Sequence, residues 1–304
     1  MRGAAHVHGV LWIDWENIDI LSKKDTQLIK DALKKIKNEQ KLEVNERNAI
    51  AAFADKFISC TLKDPKTADI VKSVNVHNHT RTCKKYGSDC RFYFPRFPTL
   101  RTIVSVPLQH SDIPEDKHEC ESREAKRILS SVKEVLQDEQ AMEEICELNK
   151  GQIGEYIQTL NLVQKIGLIL SETPKKKQMV CLEEKNILKH LYSVSDEVNM
   201  IDVDKRELNE KMDDLETELD EFDINSLLRE RLLALLRKAK FSTGSDEEIL
   251  TSYEKALGIS LQGYRVIHKR DVDEININNY NPEWIHSWNG NMDIYIYALT
   301  FSLS

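Results

Sequence analysis

The sequence has no long hydrophobic run: nowhere do about eighteen apolar residues follow one another, the length that a membrane-spanning helix needs. The first residues also lack a basic segment followed by an apolar one, so no secretory signal is expected. Cysteine is sparse, with six in 304 residues, and only Cys83 and Cys90 stand close together. We therefore expect no disulfide framework, no membrane partner, and a reducing compartment, cytosol or nucleus.

A nucleotide-binding loop is missing as well. No Gly-x-x-x-x-Gly-Lys-Ser/Thr motif occurs, so the sequence offers no backbone cradle for the phosphates of ATP. This chain is therefore not predicted to be a helicase.

Charge is divided unevenly along the chain. The formal net charge is −8 at pH 7, but residues 1–110 carry 19 Lys+Arg against 12 Asp+Glu, and the remainder carries 24 against 39. Within residues 72–101 a single acidic residue, Asp89, accompanies seven basic ones: Lys72, Arg81, Lys84, Lys85, Arg91, Arg96 and Arg101. We predict that these basic residues form a face that binds phosphates.

Hydrophobic periodicity divides the chain into three predicted parts. Residues 1–110 form a basic part that includes helices over 26–41 and 46–57, both with apolar residues at three- and four-residue intervals. Residues 111–245 form an acidic helical insertion, and residues 246–304 form a strand-containing part whose sequence is strand-like and aromatic from residue 259 onward.

One segment of the insertion has a coiled-coil-like seam. Apolar side chains recur at spacings of 4, 3, 4 and 3, at Leu208, Met212, Leu215, Leu219 and Phe222. The seam spans fewer than three heptads, which is short for a coiled coil. Two interpretations stay open: a helical hairpin packed on itself, and a zipper that binds a partner.

The first candidate site is His6-Val7-His8, at the start of a predicted buried strand over residues 7–15. Side chains two residues apart in a strand face the same side, so both imidazoles point together. Such a pair can hold a divalent metal that polarises a phosphate, with a third ligand from elsewhere. The alternative is a chance pair at an exposed strand edge, because the motif is short.

The second candidate site is denser. His77, His79, Cys83 and Cys90 lie within 14 residues, and Tyr86-Gly87-Ser88 supplies a turn between the two cysteines. Two thiolates and two imidazoles make a tetrahedral zinc shell, although this order and spacing differ from the classical finger. The alternative is a pair of ordinary buried cysteines with surface histidines.

Arginine and aromatic residues alternate after the second cysteine. The segment consists of Arg91, Phe92, Tyr93, Phe94, Arg96 and Phe97. These rings can stack on the bases of a single strand while the arginines pair with phosphates. They can equally be core rings with solvated arginines between them.

Several blocks together resemble Helitron-type rolling-circle replication initiators, the His-hydrophobic-His endonucleases of eukaryotic transposons. Arg2-Gly3-Ala4-Ala5-His6-Val7-His8 is similar to the metal-binding strand of that family. Residues 54–60, the His/Cys block that ends in 90–95, and residues 279–284 with 288–294 resemble further blocks in the family's order. The resemblance covers roughly residues 1–110 and 255–294.

The resemblance implies an α+β fold: a small antiparallel sheet with helices, a zinc-stabilised His/Cys module and the long acidic helical insertion. It also implies a nuclear protein that binds single-stranded DNA, with a helicase domain encoded separately or lost. In the family a tyrosine attacks a DNA phosphate and forms a covalent phosphotyrosine. His6 and His8 would hold the Mg²⁺ or Mn²⁺ that stabilises the developing charge.

This sequence departs from the family at both ends. The family's acidic or amide ligand would precede Met1, and its Tyr-x-x-x-Tyr helix would follow Ile294. Tyr295 and Tyr297 alternate as strand residues do, and we interpret them as such and not as nucleophiles. We therefore expect a catalytically incomplete protein.

Three functions remain open at the level of sequence. The first is a fragment of a nicking endonuclease, and the second is a binding-only protein that keeps the zinc module and the basic face for DNA or a protein partner. The third is a zinc-stabilised scaffold without a nucleic-acid role. The charge division and the ordered blocks favour the first two.

Overall fold

The computed structural model describes residues 22–80, 83, 90–172, 205–260 and 263–294. Several predicted features lie outside the described residues, namely the strand over 7–15 with His6 and His8, the basic residues Arg81, Lys84 and Lys85, and the tyrosines Tyr295 and Tyr297.

The described helices, in chain order, are α1 (Lys23–Lys37), α2 (Val44–Phe57), α3 (Ala68–Val74), α4 (His118–Leu136), α5 (Glu139–Glu147), α6 (Lys150–Glu172), α7 (Lys205–Glu221), α8 (Ile224–Ala239), α9 (Asp246–Gly258) and α10 (Pro282–Trp288). The strands are β1 (Ile103–Pro107), β2 (Ile259–Ser260) and β3 (Arg265–Ile267). The chain is therefore predominantly helical with a small sheet, which confirms the predicted α+β class.

The sheet is mixed, with strand order β2-β1-β3. β1 pairs with β3 in the expected antiparallel sense, with Val104 opposite Val266. β1 pairs with β2 in parallel, with Val106 opposite Ile259. A parallel pair requires a long crossover connection, and the helices from α4 to α9 provide one before the chain re-enters the sheet at β2.

The first two helices form where the hydrophobic pattern predicts them, with shifted ends. Ser22 caps α1 by accepting a hydrogen bond from the Asp25 amide at 3.1 Å. α2 begins with a capping box between Glu43 and Glu46. A small core joins these helices to the sheet, and its buried members are Ala32, Leu42, Ile50 and Val104.

The main hydrophobic core lies in the acidic helical region. Helices α4, α5, α8 and α9 pack together through buried apolar side chains, among them Val132, Ile145, Leu235, Leu236 and Tyr253. Partly buried residues on either side of this region, Phe97, Leu100 and Ile267, pack against the same core. The main core thus includes residues on both sides of the predicted boundaries at 110 and 245. The helices are amphipathic: their exposed faces carry the acidic charge, and their buried faces are apolar.

The seam of α7 packs within the chain. Leu208 and Leu215 are buried against Ile166 and Ile169 of α6. Near the other end of the pair, the ring of Phe222 lies 5.9 Å from that of Tyr156, so α6 and α7 run antiparallel. The hairpin interpretation is therefore confirmed. None of the described helices is both long and apolar enough to cross a bilayer.

A buried cluster of charged side chains connects α8 to the turn that follows β3. The Arg231 guanidinium, 2% exposed, pairs with Asp271 and, at 3.2 Å, with Asp273. Lys63 reaches the same turn, 2.9 Å from Asp271 and 3.1 Å from Glu274. These carboxylates raise the pKa of Lys63 against the opposing effect of burial, so the lysine stays charged inside the protein.

Candidate metal centre

The chain segments that carry the four candidate ligands are held by backbone hydrogen bonds. After α3 the chain becomes extended, and Val76 forms an isolated antiparallel bridge with Ile277. The His77 amide donates to the Asn276 carbonyl at 2.7 Å. The Arg91 amide donates to the Cys83 carbonyl at 2.9 Å, which places the two cysteine segments side by side.

The four candidate ligands converge on one point. One ligand atom each from His77, His79, Cys83 and Cys90 lies within 4.8 Å of all the others. The Cys90 sulfur is 3.3 Å from His77 Nε2, and the Cys83 sulfur is 3.5 Å from His79 Nδ1. A tetrahedral zinc with bonds of about 2.3 Å to sulfur and about 2.0 Å to nitrogen separates these ligands by roughly 3.5 Å. The predicted convergence is thus confirmed, at distances that suit such an ion.

The sulfur atoms lie beside a buried ring and beside both the amide and the carbonyl of Thr80. Cys83 and Cys90 are buried, and Phe94, also buried, closes the cluster. The Thr80 amide lies 3.2 Å from the Cys83 sulfur, so it can donate to a thiolate. Such a donor orients a sulfur ligand and lowers its negative charge density.

The surroundings of His77 favour the neutral form of its imidazole. The His77 ring stacks on Phe94 with centroids 4.3 Å apart and planes inclined by 8°. Burial lowers the pKa of His77, and the positive charges of His79 and Arg96 lower it further against the opposing effect of Asp293. Since a metal ligand must be neutral imidazole, these influences favour coordination.

Two residues of the predicted basic face form salt bridges with carboxylates. Arg96 pairs with Asp293 at 2.9 Å, and its guanidinium carbon lies 4.6 Å from the centre of the Phe94 ring. Arg101 pairs with Glu254 at 2.7 Å. These two arginines therefore contribute less to a phosphate-binding face than the sequence predicts, because part of their charge is neutralised within the chain.

The other two described basic residues face solvent. Lys72 is exposed on α3, and Arg91 is exposed beside the metal cluster. The Arg91 guanidinium carbon lies 4.6 Å from the centre of the Phe92 ring. Of the residues between Arg91 and Phe97, Phe94 is a core ring, whereas Phe92 and Tyr93 are exposed, by 41% and 79%. The core interpretation is thus confirmed for Phe94, and base stacking by Phe92 and Tyr93 stays a prediction.

An asparagine-rich network brings the blocks that resemble the family together. Asn281 caps α10 and donates through Nδ2 to the Phe57 carbonyl at 2.8 Å. The buried hydroxyl of Tyr280 donates to the Thr61 carbonyl at 2.8 Å. Asn75, fully buried, donates to the Asn278 carbonyl and accepts from the Met292 amide at 2.7 Å. These hydrogen bonds connect residues 57–61, 75–77 and 278–292.

The sequence reasoning did not identify these asparagines as structural residues. Their signal is the run from Asn276 to Asn281, in which four of six residues are asparagine. Such a run indicates a loop, because asparagine favours turns and helix caps over strands and helix interiors. Only the tertiary contacts reveal that the amides of Asn279 and Asn281 donate to the backbone of other segments and that the amide of Asn278 donates to the side chain of Asn291.

The site's own chemistry is the basis for assigning a function. No protein-family model matches this chain, no curated protein matches its sequence, and no solved structure matches its fold.

Proposed function

We propose that this protein binds one Zn²⁺ through His77, His79, Cys83 and Cys90 and binds single-stranded DNA through the exposed surface beside that ion, as a Helitron-like rolling-circle initiator does. The observation that carries the proposal is the position of Arg91, between the metal ligand Cys90 and two exposed rings.

The identity of the metal follows from the ligand set. Two thiols and two imidazoles suit Zn²⁺, whereas Mg²⁺ and Ca²⁺ select oxygen ligands. The protein would fill all four coordination positions, which is typical of a structural site, since a catalytic zinc keeps one position open for water. The ion would fix the loops around it and present the aromatic surface.

Metal analysis of the purified protein tests the zinc proposal. We expect about one equivalent of zinc, and almost none in a Cys83→Ser/Cys90→Ser variant, because only half of the shell remains. Cys120→Ser is the matched control, since Cys120 is an exposed cysteine on α4. Wild-type protein that carries no zinc and takes up none on addition would contradict the proposal.

The nucleic-acid proposal rests on Arg91, Phe92 and Tyr93, which we call the knuckle. Exposed aromatic rings beside an arginine are the elements that stack unpaired bases and contact their phosphates. The backbone φ of Tyr93 is 62°, in the left-handed region that bulky side chains avoid. Backbone of this kind is concentrated at functional sites, where the surrounding structure maintains it.

Binding of a fluorescent oligo(dT) strand tests the knuckle. We expect affinity that falls as salt rises, because phosphate contacts release counterions. Phe92→Ala/Tyr93→Ala should weaken binding by about tenfold or more, since each stacked base contributes roughly 1–3 kcal/mol. Trp284→Ala removes an exposed ring from α10 and serves as the control. Equal loss in both variants would argue against a specific surface.

Nicking is a separate question. Its proposed metal ligands, His6 and His8, and the tyrosines Tyr295 and Tyr297 lie outside the described residues. We propose DNA binding without turnover, so no covalent protein–DNA adduct should form with Mn²⁺ present. An adduct that survives denaturation and disappears on Tyr295→Phe or Tyr297→Phe would establish strand cleavage instead.

A second candidate is a zinc-stabilised scaffold with no role in DNA binding. The pairing of Arg96 with Asp293 and of Arg101 with Glu254 favours it, because both arginines already have anionic partners. The scaffold predicts bound zinc without salt-dependent DNA binding. The oligo(dT) titration therefore separates the two candidates.

A further inference from the structure

A cavity of about 530 Å³ lies away from the four metal ligands, between helices α6 and α8 and the segments 58–64 and 268–274. Its volume falls within the range of small-molecule sites, about 300–1,000 Å³. None of the four metal ligands lines it.

One wall of the cavity is apolar. Leu160 from α6, Leu228 and Leu232 from α8, and Leu100 contribute aliphatic side chains, and the ring of Tyr156 adds an aromatic surface. Such a wall suits the face of a flat apolar ring system, because stacking a ring on it removes apolar surface from water.

The cavity is also lined by residues whose buried polar atoms have no partner. His268, only 6% exposed, and Gln164 both line the cavity. His268 Nδ1 and Gln164 Oε1 are buried, and no atom of the described residues forms a hydrogen bond with either. A buried polar atom without a partner is destabilising, so a ligand that satisfies both would gain affinity.

The two unpartnered atoms are hydrogen-bond acceptors. The side chain of Gln164 already donates to Asp64 at 3.4 Å, which leaves its oxygen to accept. The nearby carboxylates already have donors, because Asp55 accepts from the Thr102 hydroxyl and Asp64 accepts from the Lys66 amide at 3.0 Å. Burial lowers the pKa of His268 to about 4, with further lowering by Arg270 and Arg96, so its ring is neutral and can accept.

Two of the three cations that line the cavity, Lys63 and Arg270, are paired within the protein, and the third, Lys269, is exposed and donates to Asn225 at 3.5 Å. Lys63 pairs with Asp271 and Glu274. Arg270, fully enclosed, donates to the carbonyls of Glu274 and Ile277 at 2.6 and 2.7 Å and to Asn279 at 3.0 Å. A ligand that satisfies Gln164 and His268 is therefore a hydrogen-bond donor.

We propose that the cavity binds one nucleobase that carries an exocyclic amino group, with its ring against the leucine wall and its amino group toward Gln164 and His268. Cytosine, adenine and guanine have such a group, and thymine lacks it. The inference rests on the proposed function, because the base would come from the bound strand, turned out of its stack as in other proteins that read single bases.

Free nucleosides test the cavity without involving the knuckle. Deoxycytidine, deoxyadenosine and deoxyguanosine are titrated separately into the full-length protein and followed by NMR, with thymidine as the comparison. At least one amino-bearing nucleoside should bind about tenfold more tightly than thymidine, since a site built for a donor discriminates against an analogue without it. Equal affinities for all four, or no binding at millimolar concentration, would overturn the proposal.

Two variants locate the site. Gln164→Met keeps the length of the side chain but removes the acceptor, and it should reduce nucleoside affinity about tenfold, the effect of about one hydrogen bond. Gln152→Met, on an exposed position of the same helix, is the matched control. Leu228→Trp should abolish binding by filling the cavity. Retention of wild-type affinity in both cavity variants would place the nucleoside elsewhere.

Oligo(dT) binding, measured on the same preparations, keeps the two proposals distinguishable. Thymine offers no exocyclic amino group, so oligo(dT) reports on the knuckle, and Gln164→Met should leave its affinity unchanged. Nucleoside binding without oligo(dT) binding would support the cavity and refute the proposed function. Oligo(dT) binding without discrimination between nucleosides would support the proposed function and refute the cavity proposal.

Discussion

The helical core and the metal-centre region are stabilised by different forces. Around Leu235 and Tyr253 the contacts are apolar, between helices that are regular and capped. Around Asn75 and the four metal ligands there is little regular structure, and hydrogen bonds between loops take its place. The comparison teaches that the acidic helical region, which looked like an insertion, supplies more than half of the buried residues of the main core, while the candidate site depends on polar contacts.

The largest expected effect is on the helical core. Leu235 is completely buried. Leu235→Ala should lower the free energy of unfolding by about 2–5 kcal/mol, because it removes apolar contacts and leaves a cavity. Urea unfolding followed by circular dichroism measures this loss. Leu148→Ala, at a position that is 42% exposed, is the control and should have a much smaller effect.

Acid should destabilise the protein through His268. Its pKa in the folded state is lowered from 6.5 to about 4, so the unfolded state binds a proton more readily between these values. Stability is therefore fully present above pH 6.5 and falls as the pH drops toward 4, by up to about 3 kcal/mol. His268→Gln removes the titrating group. If the difference between variant and wild type is the same at pH 7 and pH 4.5, the histidine is not responsible.

The asparagine network should respond to the loss of one amide. Asn75→Ala leaves the Asn278 carbonyl and the Met292 amide without their partner, and we expect a loss of about 1–3 kcal/mol. Asn38→Ala, an exposed change at the end of α1, should stay within about 0.5 kcal/mol. Hydrogen exchange adds a local readout. Protection should fall at residue 292, and unchanged protection there would contradict the role given to Asn75.

Metal removal should have the smallest effect on the helical core. The main core contains none of the four candidate ligands, so a chelator should leave the helical circular dichroism nearly unchanged. NMR signals of residues 76–80 and 90–94 should shift or broaden, because the metal contacts that hold these loops are lost. Cooperative loss of helical signal on chelation would mean that the two regions are not energetically separate.

The sequence predicted part of the fold and part of the site. Helices α1 and α2 and the seam of α7 followed from apolar spacing, and convergence of the four His and Cys ligands followed from residue type and closeness in the chain. The pairing of Arg96 with Asp293 was missed, because a charge pattern along the chain does not report which carboxylate lies opposite. For the same reason Phe92 and Phe94 looked alike, although one is exposed and the other buried.

Local sequence by itself determined helices α1 and α2 and the seam of α7, because the side chains that decide a helix are three and four residues apart. The prediction of strand-like structure from residue 259 onward was wrong at α10, which is helical. Local sequence also determined the chemistry of the metal ligands, since His77 to Cys90 spans only 14 residues. Tertiary structure alone decided the parallel pairing of β1 with β2, the asparagine contacts and the cavity beside His268. Each of these joins residues more than one hundred positions apart, and only packing of the whole chain selects such partners.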